Sequence, residues 1–337
     1  KNFLLRRNSY RYYFAKKYIM HGVKRGRPRT AGATSSSSFS HVVLQLRNYV
    51  SLAPETLSAS TYDASMQISS YVSPNGGPDS GLILVAHDHH LSLWGLWTLE
   101  SLGLPKLIHR RRVSPDNSIN SKDVVSIICG LCQGQVHIVA INGTDGNGCL
   151  QLHNATLHSD PHVHHEAHRG RILAMTYHTQ RNEVVTSGVD GQVKIWVISC
   201  VGTGTLENPH STDKKFRARQ RLSMSTKRYF RDEISSGQQA PETYLVNALE
   251  MDDVQDFIVG GVGHDIFLWN ILNGDVVLRC PRLHKAPVRE MSYDPLTGIL
   301  VTSCEKATEI NVWQLTPSTP DSNMAMSVSV SATAAPH

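Results

Sequence analysis

Cys129-Gly130-Leu131-Cys132 has the spacing of a thiol redox motif. That chemistry needs the first thiol at a helix N-terminus, where its pKa falls. Here the motif ends the apolar run VVSIICGLC, which reads as a strand. Residues i and i+3 of a strand point to opposite faces, and no second CxxC completes a zinc site, so these cysteines read as structural. His162, His164, His165 and His168 crowd into HVHHEAHRG. Imidazoles suit zinc, copper or nickel. The HEAH core is one residue short of HExxH, whose spacing puts two imidazoles on one helical face. The expected reading is a solvated, His-rich loop without a specific metal. The chain holds no GxSxG elbow, no phosphate loop ending in Lys-Ser/Thr and no carboxylate pair in a recognisable setting. The expectation is no catalytic residue, no cofactor and no metal.

A second kind of chemistry is contact with anions. In Lys24-Arg25-Gly26-Arg27-Pro28-Arg29, the core Arg25, Gly26, Arg27 and Pro28 resembles an AT-hook. Narrow A·T-rich minor grooves attract arginine, and glycine lets the backbone approach closely. The same residues also read as a nuclear-import signal, a non-specific polyanion contact or a solvated arm. Residues 1–40, free of acids and rich in Arg, Ser and aromatics, fit a mitochondrial presequence too. Farther on, Lys214, Lys215, Arg217, Arg219 and Arg221 precede Ser223, Ser225 and Thr226. That segment reads either as a docking arm tuned by phosphorylation or as a solvated loop.

Charge is segregated. Residues 1–54 hold eleven Lys/Arg and no acid, and residues 213–231 hold eight against one acid. The rest carries 14 basic and 27 acidic residues, so an acidic body bears two basic appendages. Basic partners are expected on the body and acidic ones on the appendages. No apolar run reaches the length of a membrane span, and no secretory signal opens the chain. Six scattered cysteines then read as reduced thiols, with a cytoplasmic location expected and a nuclear one as the alternative.

The elements that would position these residues repeat. Residues 168–196 read HRGRILAMTYHTQRNEVVTSGVDGQVKIW: three short strands joined by polar turns. His284 to Trp313 repeats the pattern, with Val301-Thr302-Ser303 matching Val185-Thr186-Ser187. Further copies end at Trp269 and at Trp94, where Asp88 precedes Trp94 as Asp190 precedes Trp196. A fifth, weaker copy aligns GQVHIVAI (134–141) with GQVKIWVI (191–198), leaving Val139 in place of Trp. Pro-Asn-Gly, Pro-Asp-Asn and Asp-Pro-Leu-Thr-Gly turns punctuate the strands.

These units resemble the WD-repeat family over roughly residues 62–316. The resemblance implies an all-β fold, a β-propeller of four-stranded blades, five of them recognisable. It also implies that His168, Ser187, Asp190 and Trp196 form a hydrogen-bonded set holding one blade together. Trp94, Trp269 and Trp313 would be blade-core residues in the others. No Trp here is followed by Asp, and the last unit has Lys306 or Ala307 at the Asp position. Family rings close with about seven blades of about 40–45 residues. Residues 39–61 could supply one further degenerate blade but not two, so upstream sequence, an open ring or completion by another element is implied. The expected organisation is a basic, disordered arm (1–38), a propeller (39–315) interrupted by a mobile inter-blade loop (199–241), and a disordered Ser/Ala/Pro tail (316–337). The implied role is a non-catalytic scaffold for protein–protein interaction within a larger assembly. The alternative is a chromatin-associated protein whose arm contacts DNA.

Overall fold

The structure is a computed structural model. It describes residues 67–72, 81–87, 90–96, 105–113, 123–178, 180–202, 214–231, 244–304, 310–316 and 327–330. The chain divides into two units, 1–54 and 55–337, and every described residue belongs to the second. Arg25, Gly26, Arg27, Pro28, Asp88 and the strands sought in 39–61 lie outside the described residues.

Among the described residues, twenty strands form five four-stranded antiparallel sheets, each from consecutive strands. Blade 1 holds β1 (Gln67–Val72), β2 (Gly81–His87), β3 (His90–Leu96) and β4 (Pro105–Arg112). Blade 2 holds β5 (Val124–Gly130), β6 (Val136–Asn142), β7 (Gly148–Asn154) and β8 (His162–His168). Blade 3 holds β9 (Ile172–His178), β10 (Glu183–Gly188), β11 (Gln192–Gly202) and β12 (Lys214–Ser225). Blade 4 holds β13 (Val246–Asp252), β14 (Phe257–Val262), β15 (Asp265–Asn270) and β16 (Val276–Cys280). Blade 5 holds β17 (Val288–Asp294), β18 (Ile299–Cys304), β19 (Ile310–Thr316) and β20 (Ser327–Val330). The first strands β1, β5, β9, β13 and β17 neighbour one another in that order, so they are the inner strands. The fold is an all-β propeller of four-stranded blades.

Four apolar clusters hold successive blades together. Leu84, Leu93, Val139 and Ile141 join blades 1 and 2; Ile138, Leu152, Val184 and Trp196 join 2 and 3. Val185, Ile195, Ile258 and Trp269 join 3 and 4; Val259, Leu268, Leu300 and Trp313 join 4 and 5. An interior blade is therefore covered on both faces. This is why β6 and β10 are buried at every position and read as unbroken runs rather than alternating ones.

Three expectations are corrected. Part of the segment expected as a loop is strand: β11 extends to Gly202, and β12 pairs with it from Lys214 to Ser225. Its alternation is hidden by a bulge between the partners of Ile195 and Trp196, which makes Arg221 the extra residue. Phe216 and Ala218 consequently pack toward blade 2, while Leu222 and Met224 pack toward blade 4. Within the tail, Ser327–Val330 pairs with Trp313–Thr316 as the outer strand of blade 5. In blade 2, residues 134–141 are not a third strand: β6 is the second. The true counterpart of Trp196 lies in β7. The β6–β7 register Asn142↔Gly148 matches Ser187↔Val193, which puts Gln151 at the Trp position and Asp145-Gly146 at the Asp190-Gly191 turn.

Candidate functional site

His168 ends β8, the outer strand of blade 2, yet its ring serves blade 3. Trp196 Nε1–H donates to Thr186 Oγ1 at 2.8 Å, and the Thr186 hydroxyl meets His168 Nε2 at 2.8 Å. His168 Nδ1 lies 3.0 Å from Asp190 Oδ1. A carboxylate can only accept, so Nδ1 carries the proton and Nε2 accepts from Thr186. Asp190 also takes the N–H groups of Arg169 and Gln192, closing the turn. Burial opposes ionisation of Asp190, but bonding to His168 and Gln192 and attraction from Lys194 hold its carboxyl below the usual range. Every member has a partner, and His168 and Thr186 are fully buried, so the set is structural.

The hydroxyl in this network is Thr186, where the repeat had pointed to Ser187. Cross-strand partners share a face: Val184 opposes Trp196, so Thr186, two residues on, shares the indole's face and Ser187 faces away. Ser187 instead donates to the Val246 carbonyl of blade 4 at 2.7 Å. Blade 5 repeats the arrangement. Trp313 donates to Thr302, not to Ser303, and Thr302 lies 2.9 Å from His284 Nε2. Asn311 Nδ2 takes the carboxylate's place, 3.2 Å from His284 Nδ1. An amide donor there makes Nδ1 the acceptor and reverses the tautomer found in blade 3. Burial, with His264 nearby, lowers the pKa of His284. In blades 1 and 4 the equivalent of Thr186 is Val85 and Gly260, and the indole N–H groups of Trp94 and Trp269 find no acceptor among the described residues. Gly260 instead admits the ring: a Cβ there would stand 2.5 Å from Trp269.

The cysteine pair and the His-rich segment are both built into the blades. Cys129 is buried at the end of β5, and Cys132 follows a left-handed Gly130 in a single helical turn, Leu131–Gly134. Cys132 N–H bonds Asn182 of blade 3, and Cys129 N–H bonds Ser69 of blade 1, so the motif joins three blades. Cys129, Cys132, Cys149, Cys280 and Cys304 are free thiols. The His-rich segment is a strand rather than the expected loop, and His164 packs edge-on against Trp196 at 4.8 Å. Among the described residues no three His, Cys, Asp or Glu side chains gather as a metal site.

What the fold does assemble is a cavity at the axial end of the inner strands. It holds about 610 Å³ and is lined by Gln67 (β1), Leu173 (β9), Leu245 and Asn247 (at β13), and Pro287, Val288, Arg289 and Glu290 (at β17). Four blades contribute, and Gln67 and Arg289, more than 200 residues apart in sequence, both line it. Arg289 and Glu290 are exposed and have no ion-pair partner among the described residues. The lining combines apolar contact, two side-chain amides and one charge of each sign. Sequence reasoning missed all eight residues, because nothing local marks them; each merely stands near the start of an inner strand.

No protein-family model and no curated protein matches the chain. Solved structures do. A chain in the crystal structure of the Chaetomium thermophilum polycomb repressive complex 2 aligns over 77% of this chain and 50% of its own, with 14% identity and a TM-score of 0.51. A chain of an active polycomb repressive complex 2 in the basal state aligns over 80% and 52%, with 12% identity and a TM-score of 0.53. This chain thus spans about half the length of those it resembles. At such identities the likeness concerns the fold alone. No helix among the described residues is long and apolar enough to cross a membrane.

Proposed function

We propose that the chain is a non-catalytic WD-repeat scaffold that holds protein partners within a larger assembly. The observation that carries this reading is the axial cavity, where four blades present amides, opposite charges and apolar side chains to solvent. Such a lining orients a bound chain, and nothing in it activates a nucleophile. The Trp–Thr–His sets of blades 3 and 5 support the WD-repeat assignment. Solved chains of like fold occur in a named multiprotein complex, which supports an assembly role.

A second reading has the chain associated with chromatin. The eleven Lys/Arg and absent acids of residues 1–54, with the Arg25–Pro28 core, favour it. On this reading the chain is nuclear; on the first it is cytoplasmic.

The test is affinity purification of the tagged full-length chain after nuclease treatment, alongside Arg289→Glu and a form lacking residues 1–40. The scaffold reading expects a defined protein set that survives nuclease and arm removal and shrinks with Arg289→Glu. Recovery that collapses with nuclease or arm removal replaces it with the chromatin reading. A set indifferent to Arg289→Glu removes the axial cavity from either.

A further inference from the structure

β11 and β12 outgrow their blade. Their register runs from Gln192↔Ser225 to Gly202↔Lys214, while β10 ends against Val197. Residues 198–202 and 214–218 thus continue as a two-stranded ribbon. Such a ribbon is marginal alone and gains from a third strand or a supporting face. One face has support: Phe216 is buried against the blade 2 cluster, with Ala218 beside it. The other face presents Arg217 and Arg219, both exposed, beside their cross-strand partners Ser199 and Val197. Neither arginine has an acidic partner among the described residues, whereas Arg221, two residues on, is bound bidentately by Glu183. Among the described residues β12 pairs with β11 alone, so its outer edge is open.

We propose that this edge takes up an extended acidic segment of a partner protein as a fifth strand of blade 3. Side chains of like face recur about every 6.6 Å along a strand, so carboxylates at alternate positions fall opposite Arg217 and Arg219. Charge on an edge strand also discourages promiscuous pairing. Here that same charge selects: it repels a basic strand, gains nothing from an uncharged one and attracts an alternating acidic one. A bare polyanion has no use for the open N–H and C=O groups, which distinguishes a peptide strand from nucleic acid. The proposal rests on the protein-binding reading above but uses a surface remote in sequence from the axial cavity.

The experiment titrates the full chain into a labelled twelve-residue peptide with Glu at alternate positions and Val or Thr between them. Two competitors accompany it: the same peptide with prolines at the intervening positions, and a DNA duplex of equal charge. The expected result is binding of the alternating peptide, at least tenfold weaker binding of the proline form, and at least tenfold loss with Arg217→Glu plus Arg219→Glu. Lys285→Glu, an exposed change elsewhere, leaves binding unchanged. Slowed amide exchange across 214–220 accompanies strand addition. Absent peptide binding overturns the proposal. So does equal or tighter binding of the proline peptide or the duplex, or indifference to the Arg217/Arg219 change. Partner capture that survives the double arginine change but falls with Arg289→Glu sinks the ribbon proposal and leaves the scaffold reading standing. Capture that survives both changes overturns the ribbon proposal and removes the axial cavity from the scaffold reading.

Discussion

Thr186 is the residue on which blade 3 turns, because one hydroxyl serves both an indole and an imidazole. Thr186→Val keeps shape and volume but strands two buried groups. Each unpaired group costs about 1–3 kcal/mol, so urea unfolding should show a loss of about 2 kcal/mol or more, with Thr186→Ser close to the parent. Ser187→Ala, which removes one bond to Val246, should cost about 1 kcal/mol. If the two changes reverse in order, the network assignment is wrong. The residue types here were legible: His168, Asp190 and Trp196 follow from spacing. The choice between two adjacent hydroxyls was not. It depends on which β10 residue lies opposite Trp196, and that register is a property of two strands together.

At the scale of the element, β12 shows why a strand can pass for a loop. Its apolar residues change faces at the bulge, so no period of two survives across it, and its arginines imitate a solvated arm. Arg221, the bulged residue, donates to both oxygens of Glu183 at 2.7 and 3.0 Å and to the Ile271 and Leu272 carbonyls of blade 4. Glu183 is only 5% exposed. Arg221→Met leaves that carboxylate buried without its partner, and we expect a loss of about 3 kcal/mol. Adding Glu183→Leu should restore most of it, since the uncompensated charge then disappears. A double variant no better than the single one would show that the carbonyl contacts dominate. Blade 2 was misread for a related reason. GQVHIVAI copies the letters of GQVKIWVI but occupies the second strand, and the informative cue was the Asn142-Gly143-Thr144-Asp145-Gly146 turn.

For the whole molecule, stability against acid should be set in blade 2. Burial lowers the pKa of His137 to about 4 and that of His153 to about 3. Both stay neutral in the folded state while the unfolded chain takes up protons below about 6.5. Stability is then full above about pH 6.5 and falls as pH drops toward 4 and below. The loss is on the order of 2 kcal/mol per histidine between pH 6.5 and 5. Amide exchange followed from pH 7.5 to 5 should show β6 and β7 losing protection ahead of β14 and β15. His137→Gln with His153→Gln should flatten the profile, and an unchanged slope would refute the assignment. The ring of blades was legible in the repeats. The axial cavity was not, because its lining comes from residues scattered over four blades, and no motif marks them.

The repeating sequence unit and the blade are out of step by one strand: His168 closes blade 2 in space but completes the network of blade 3. Translation runs in one direction. His168 therefore leaves the ribosome ahead of the threonine, aspartate and tryptophan with which it will form one network. In blades 3 and 5 alike, the imidazole is thus made before the strands whose hydroxyl and indole it will join.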